Sequence, residues 1–197
     1  MADHRRGDDR DGGGDRHGNR DHDDHDHRPR RQLIEPQLVA AGITMQGTEV
    51  KMAKMSLLFP DTSSGHATIF TRGLGPCQSI ATFDMATGDR TMIHLPAGTT
   101  TELFNDMIAG IAAATEALVI FIVNGDAGSK NHFEQVEVPR FKMDINDALK
   151  RENKEHVISR VKWITLWTDP AEDEQRRTVP GTFVLEASGR YGRGKMD

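Results

Sequence analysis

Apolar residues begin to recur with a regular period only after residue 36. "QLVAAGITM" (37–45) and "VKMAKMSLLF" (50–59) have the spacing of strands, the second ending at Pro60, and "DTSSGH" follows as a loop. "ATIFT" (67–71) predicts a short strand running into the Gly-rich "RGLGPC", and "QSIATFD" (78–84) predicts the next. The turn "DMATGD" folds that strand back onto "RTMIHLP" (90–96), so the two are expected to form a hairpin.

The period then changes. Leu103, Phe104, Met107, Ile108, Ile111 and Ala112 are three or four apart, and Thr99 with Glu102 offers a capping box, which together predict a helix. "ALVIFIVNGD" (117–126) is a continuous apolar run, as expected of a strand inside a sheet, with Gly125 and Asp126 turning the chain away from its end. "DINDALKREN" (144–153) predicts a second, shorter helix with Ile145, Ala148 and Leu149 inward. A last hairpin is expected from "HVISRVKWITLWT" and "TVPGTFVLEAS", joined by the charged loop "DPAEDEQRR". In its first arm Val157, Val161, Trp163, Thr165 and Trp167 share one face, and the two tryptophans read as packing residues. Strands with two helices and no regular β-α alternation predict a layered α/β sandwich in place of a doubly wound sheet.

Residues 1–31 stand apart. They hold nine Asp, eight Arg, five His and five Gly, with Met1 and Ala2 the only apolar side chains, and such a segment cannot bury enough surface to offset its chain entropy. The expectation is a disordered tail at 1–31 and a single domain over 32–192. The tail's acidic and basic groups nearly balance, and it lacks the apolar core of a targeting signal. No apolar run is long enough for a membrane span, and a net charge of −5 gives no reason to expect a nucleic-acid partner. One cysteine in the chain excludes an internal disulfide and a cysteine-based zinc site, and fits a reducing compartment.

That cysteine carries the chemistry. Cys77 follows Gly73, Leu74, Gly75 and Pro76, a run that permits a tight turn between strands, while His94 lies on the strand expected to pair with the one leaving Cys77. The hairpin would bring the imidazole back toward the thiol, where it could take the thiol proton. The other ring nitrogen then needs a partner, and Thr71, at the end of the preceding strand, could supply it. Backbone N–H groups of the Gly-rich turn, that of Cys77 included, could stabilise an oxyanion, although Pro76 has none to offer. The competing reading is a small buried cysteine in an ordinary core. The other histidines are weaker evidence: a zinc site from His66, His132 and His156 with Asp126 or Glu134 has no recognisable spacing, and "RGLGPCQS" lacks the Gly-Lys-Ser/Thr of a phosphate loop. "NGDAGSKNH" (124–132) reads as a rim loop or a plain connection.

Thr71, Leu74-Gly75-Pro76-Cys77, Asp84 to Gly88 and His94-Leu95-Pro96 stand in the order and spacing of the CheD-type chemoreceptor glutamine deamidases, which this segment resembles. The element order from about Val50 to Arg190 is similar as well. The chain departs from the family at Pro76, where serine is usual, at Ile93 and Leu95 around the histidine, and in the earlier proline. The resemblance implies a CheD-like α-β-β sandwich and hydrolysis of a protein glutamine side chain to glutamate and ammonia, with Cys77 as nucleophile, His94 as general base and acid, and Thr71 orienting the ring. It implies no metal or organic cofactor, a cytoplasmic location, chemoreceptor cytoplasmic helices as substrate and a CheC-type phosphatase as possible partner. The same constellation serves cytotoxic necrotizing factors, which resemble this family in fold. The alternatives are therefore a toxin-like deamidase, a transglutaminase or a thiol peptidase on another protein, and, outside enzymes, a protein-binding module with a vestigial site.

Overall fold

Strand β5 (Gln78–Asp84) and strand β6 (Arg90–Leu95) form the antiparallel hairpin that the alternating pattern predicts, in register from Gln78↔Leu95 to Phe83↔Arg90. Its turn is held by Asp84, whose carboxylate accepts from Ala86 N at 2.7 Å and whose carbonyl accepts from Gly88 N at 2.7 Å, with Gly88 at φ 78°. The architecture comes from a computed structural model that describes residues 32–51, 55–58, 68–96, 118–125, 128–167 and 169–195. The tail at 1–31 and the helix expected from Thr99 onward lie outside the described residues.

The described chain is mixed α/β, with two five-stranded sheets and a few helices. Before the hairpin come β1 (Gln37–Thr44), β2 (Thr48–Glu49), β3 (Met55–Leu58) and β4 (Thr68–Thr71). After it come β7 (Leu118–Asn124), β8 (Lys162–Leu166), β9 (Val179–Glu186) and β10 (Arg190–Lys195). One sheet has the order β1-β10-β9-β4-β2 and the other β3-β6-β5-β7-β8. The apolar run of β7 is buried at every position because β5 and β8 flank it and both of its faces are covered.

Two cores follow from the alternation in β5 to β8. Ala81, Phe83, Met92, Val119, Phe121 and Val123 point toward the other sheet, where Ile69, Phe183, Leu185 and Tyr191 meet them. The Phe121 ring lies 5.5 Å from Phe183 and 4.8 Å from Tyr191. The opposite face, with Ile80, Ile93, Ile120 and Ile122, is covered by helix residues Phe141, Ile145, Ala148 and Leu149. Those belong to a helical stretch that starts as α1 (Lys130–His132), passes through a π-helical segment, Phe133–Glu137, and continues as α2 (Val138–Arg151).

The sequence predicts this helix only from Asp144. Pro139 obscures the earlier part, and in the structure it sits in the first turn after the π-helical segment, where the missing N–H is tolerated. The expected last hairpin is not formed. His156 and Val157 belong to a short helix α3 (Glu155–Ile158), β8 runs parallel to β7, and β9 lies in the other sheet. The supposed loop between them holds helix α4 (Pro170–Arg176), whose Asp169 cap accepts from Ala171 N at 2.9 Å ahead of Pro170 in the first turn. The two tryptophans do pack: Trp163 and Trp167 both lie against the helix-side core. β10 also runs past residue 192, to Lys195. Its glycines admit β1, since a Cβ on Gly192 would come within 2.7 Å of Val39 O.

Candidate active site

Thr71 ends β4 in one sheet, and His94 sits near the end of β6 in the other. Each follows by two residues a side chain of the inter-sheet core, Ile69 and Met92, so the alternation of both strands turns them toward each other. Thr71 Oγ1 and His94 Nδ1 are 2.8 Å apart, and the same hydroxyl donates to the carbonyl of Val50 at 2.7 Å. A threonine hydroxyl has one hydrogen. Because Val50 O takes it, the bond to His94 runs the other way: Nδ1–H donates and Thr71 Oγ1 accepts. The neutral ring is thereby fixed with its hydrogen on Nδ1 and its lone pair on Nε2.

Nε2 is buried and makes no hydrogen bond. His94 is only 2% exposed, and this burial pushes its pKa below the ordinary 6.5, because the imidazolium would be poorly solvated. The ring is therefore neutral at neutral pH and presents a base at Nε2.

Cys77 precedes β5 by one residue. It lies two positions before Ser79, the Cα partner of His94, and joins the inter-sheet core with Ala81 and Phe83. Thiol and imidazole thus occupy diagonal positions on one face of the hairpin, about 7–8 Å between Cα atoms in such a ladder and within side-chain reach. No hydrogen bond joins them in this structure, since Nε2 has no partner. Cys77 is a free thiol, 6% exposed.

The turn before Cys77 is built by close backbone approach. Gly73 takes φ 70°, Leu74 N donates to Gly181 O at 2.9 Å, and Gly125 N donates to Cys77 O at 3.2 Å. A Cβ on Gly125 would fall 1.7 Å from Leu74 O and 2.1 Å from Gly75 O, so only glycine lets the end of β7 lie against this turn. With Leu74 N already committed and no N–H on Pro76, the amides of Gly73, Gly75 and Cys77 are the turn's remaining candidates for an oxyanion, the last two adjoining the thiol. On the helix side, Gln78 Nε2 donates to Glu137 Oε2 at 2.7 Å, tying the start of β5 to the π-helical segment.

Sequence reasoning missed Val50, Gly125, Gly181 and Glu137. Val50 acts through its carbonyl, which carries no residue signature, and Gly181 likewise. Gly125 was visible only as a turn. Of the weaker candidates, His66 and Asp126 lie outside the described residues, and His132 stands 3.7 Å from Glu137 on the exposed helix. Among the described residues no group of three or more His, Cys, Asp or Glu side chains is arranged to hold a metal ion. No described helix is long and apolar enough to cross a membrane. The chain matches no protein-family model and no curated protein in sequence.

Proposed function

We propose that this protein is a protein-glutamine deamidase of the CheD type, with a CheD-like arrangement of helix, sheet and sheet. The observation that carries the reading is the Val50–Thr71–His94 relay, which leaves the basic nitrogen Nε2 on the face that bears Cys77. A buried core cysteine has no need of a neighbouring imidazole locked in one tautomer.

In the proposed reaction Cys77 Sγ attacks the carboxamide carbon of a glutamine side chain while its proton passes to His94 Nε2. The tetrahedral oxyanion is held by the amides of Gly75 and Cys77. Collapse expels ammonia, which takes the proton from Nε2, and leaves a thioester. Water then gives a proton to Nε2 and attacks the thioester carbon, and the second collapse releases glutamate and returns the thiol its proton. Throughout, Nδ1–H stays bonded to Thr71, which stabilises the transient imidazolium and keeps the ring from turning. The thiol must be reduced, which fits the cytoplasm, and chemoreceptor cytoplasmic helices are the proposed substrate.

The test is mass spectrometry of purified chemoreceptor cytoplasmic fragments incubated with the protein, alongside an ammonia assay. The expected result is conversion of specific glutamines to glutamate by the wild type and none by a folded Cys77→Ser variant. Crosslinked chains would assign transfer to an amine, and cut chains a peptidase. Equal activity in Cys77→Ser would overturn a cysteine mechanism altogether.

A further inference from the structure

The chain reaches Cys77 through a turn that gives it little hold. Two of the four residues before it are glycines, and Pro76 has no N–H to bond. Cys77 O accepts from Gly125 N at 3.2 Å, and it shares that hydrogen with Asn124 Oδ1 at 2.9 Å. Regular pairing begins one residue later, at Gln78, which lies between Leu95 and Asn124. Whatever fixes Gln78 therefore fixes the backbone that carries the thiol.

Gln78 is held from the helix side of the sheet. The residue is 8% exposed, and its Nε2 donates to Glu137 Oε2 at 2.7 Å, a short bond strengthened by the charge on the acceptor. The other carboxylate oxygen faces the exposed His132 at 3.7 Å, beyond hydrogen-bond distance. The helix is distorted where it supplies this carboxylate. Phe133 and Val138 both lie in the helix-side core, and in a regular α-helix four residues make little more than one turn, so Glu137 would fall on the inward face with Phe133. Here Val138 N donates to Phe133 O, five residues back. The widened turn gives Val138 the inward place and leaves Glu137, 21% exposed, on the flank against Gln78. Such π-turns are rare and are frequent at functional sites.

We propose, on the reading of Cys77 and His94 as nucleophile and base, that Glu137 is a positioning residue for the thiol. It acts through Gln78 from the opposite face of the sheet: the carboxylate pins the first paired residue of β5, and the pinned strand keeps Cys77 on the face that carries His94 Nε2.

The test is a double-mutant cycle on the full chain, read by Cys77 alkylation with iodoacetamide at neutral pH, with thermal melts to show that each variant is folded. In the wild-type background His94→Gln should slow the reaction at least about a hundredfold. In the Glu137→Ala background the same His94 substitution should cost at least about tenfold less, since a small misplacement of reacting groups forfeits that much. The ratio of rates within one background cancels any change in the exposure of the thiol, so a glutamate that merely stabilised the helix would leave it unchanged. Gln78→Glu, which sets two carboxylates against each other, should lower the ratio in the same way and replaces Glu137→Ala if that variant does not fold. Glu137→Gln keeps an oxygen acceptor and should retain the wild-type ratio. Combining Gln78→Glu with Glu137→Gln lets donor and acceptor trade places, and should restore what Gln78→Glu alone loses. Full His94 dependence in Glu137→Ala or in Gln78→Glu, or no recovery in the exchanged pair, would overturn the proposal while leaving Cys77 and His94 as the site. Equal rates for the wild type and His94→Gln would overturn that site, and the role of Glu137 with it.

Discussion

Replacing Thr71 by valine keeps the shape of the side chain and removes the hydroxyl on which the site turns. Two bonds go at once: His94 Nδ1–H loses its acceptor at 2.8 Å, and Val50 O loses its donor at 2.7 Å. Thr71 is 0% exposed and Val50 2%, so water does not readily substitute. A buried group left without its partner costs about 1–3 kcal/mol, so the pair predicts a loss of about 2–6 kcal/mol of stability. That is a large share of the roughly 5–15 kcal/mol that holds a domain folded. Thr71→Ser retains both bonds and loses one methyl group, for about 1 kcal/mol. Urea unfolding measures the energies, and long-range 1H–15N spectra of the imidazole read which nitrogen carries the hydrogen. The serine variant should keep the Nδ1–H form, and the valine variant should lose it. A Thr71→Val protein within about 0.5 kcal/mol of the wild type, still in the Nδ1–H form, would refute the reasoning.

The remaining expectations concern pH and backbone. Burial lowers the pKa of His94 in the folded protein below 6.5, so the unfolded chain binds more protons over the interval between the two values. The contribution of His94 to stability is therefore full above pH 6.5 and is lost as pH falls through the lower folded value; urea midpoints from pH 8 to 5 should show this, and His94→Gln should remove that component. Gly125→Ala should cost about 3 kcal/mol or more, because its Cβ would drive into Leu74 O and Gly75 O, and thermal unfolding checks it. An alanine variant as stable as the wild type would mean that the turn before Cys77 is not packed as described.

What could be read from the sequence was local. The β5–β6 hairpin was legible because its strands alternate cleanly and "DMATGD" sets the register over a few residues, which is also why His94 could be placed back toward the Cys77 end of its partner strand. Which strands share a sheet was not. Nothing local tells β8 to lie parallel to β7 and β9 to cross into the other sheet, and the cap at Asp169-Pro170 that opens the intervening helix was hidden in a run of charges. The glycine-rich "RYGRGK" of β10 has little apolar alternation to read, since its small residues are there for close approach to β1 and Met45. At the site, Thr71 could be picked out as a partner for the ring. The direction of its hydrogen bond depends on the carbonyl of Val50, 21 residues away and just past the end of β2, and no side-chain pattern encodes that.

The most direct test of the central claim, that His94 Nε2 serves Cys77 as a base, is the rate of Cys77 alkylation by iodoacetamide at neutral pH in the wild type and in His94→Gln. Alkylation in denaturant serves as the control for an intact thiol. A positioned base is worth about 10²–10⁴-fold, so the account predicts that the folded variant reacts at least about a hundredfold more slowly while the denatured proteins react alike. Equal rates in the two folded proteins would contradict it and return Cys77 to the role of a core side chain.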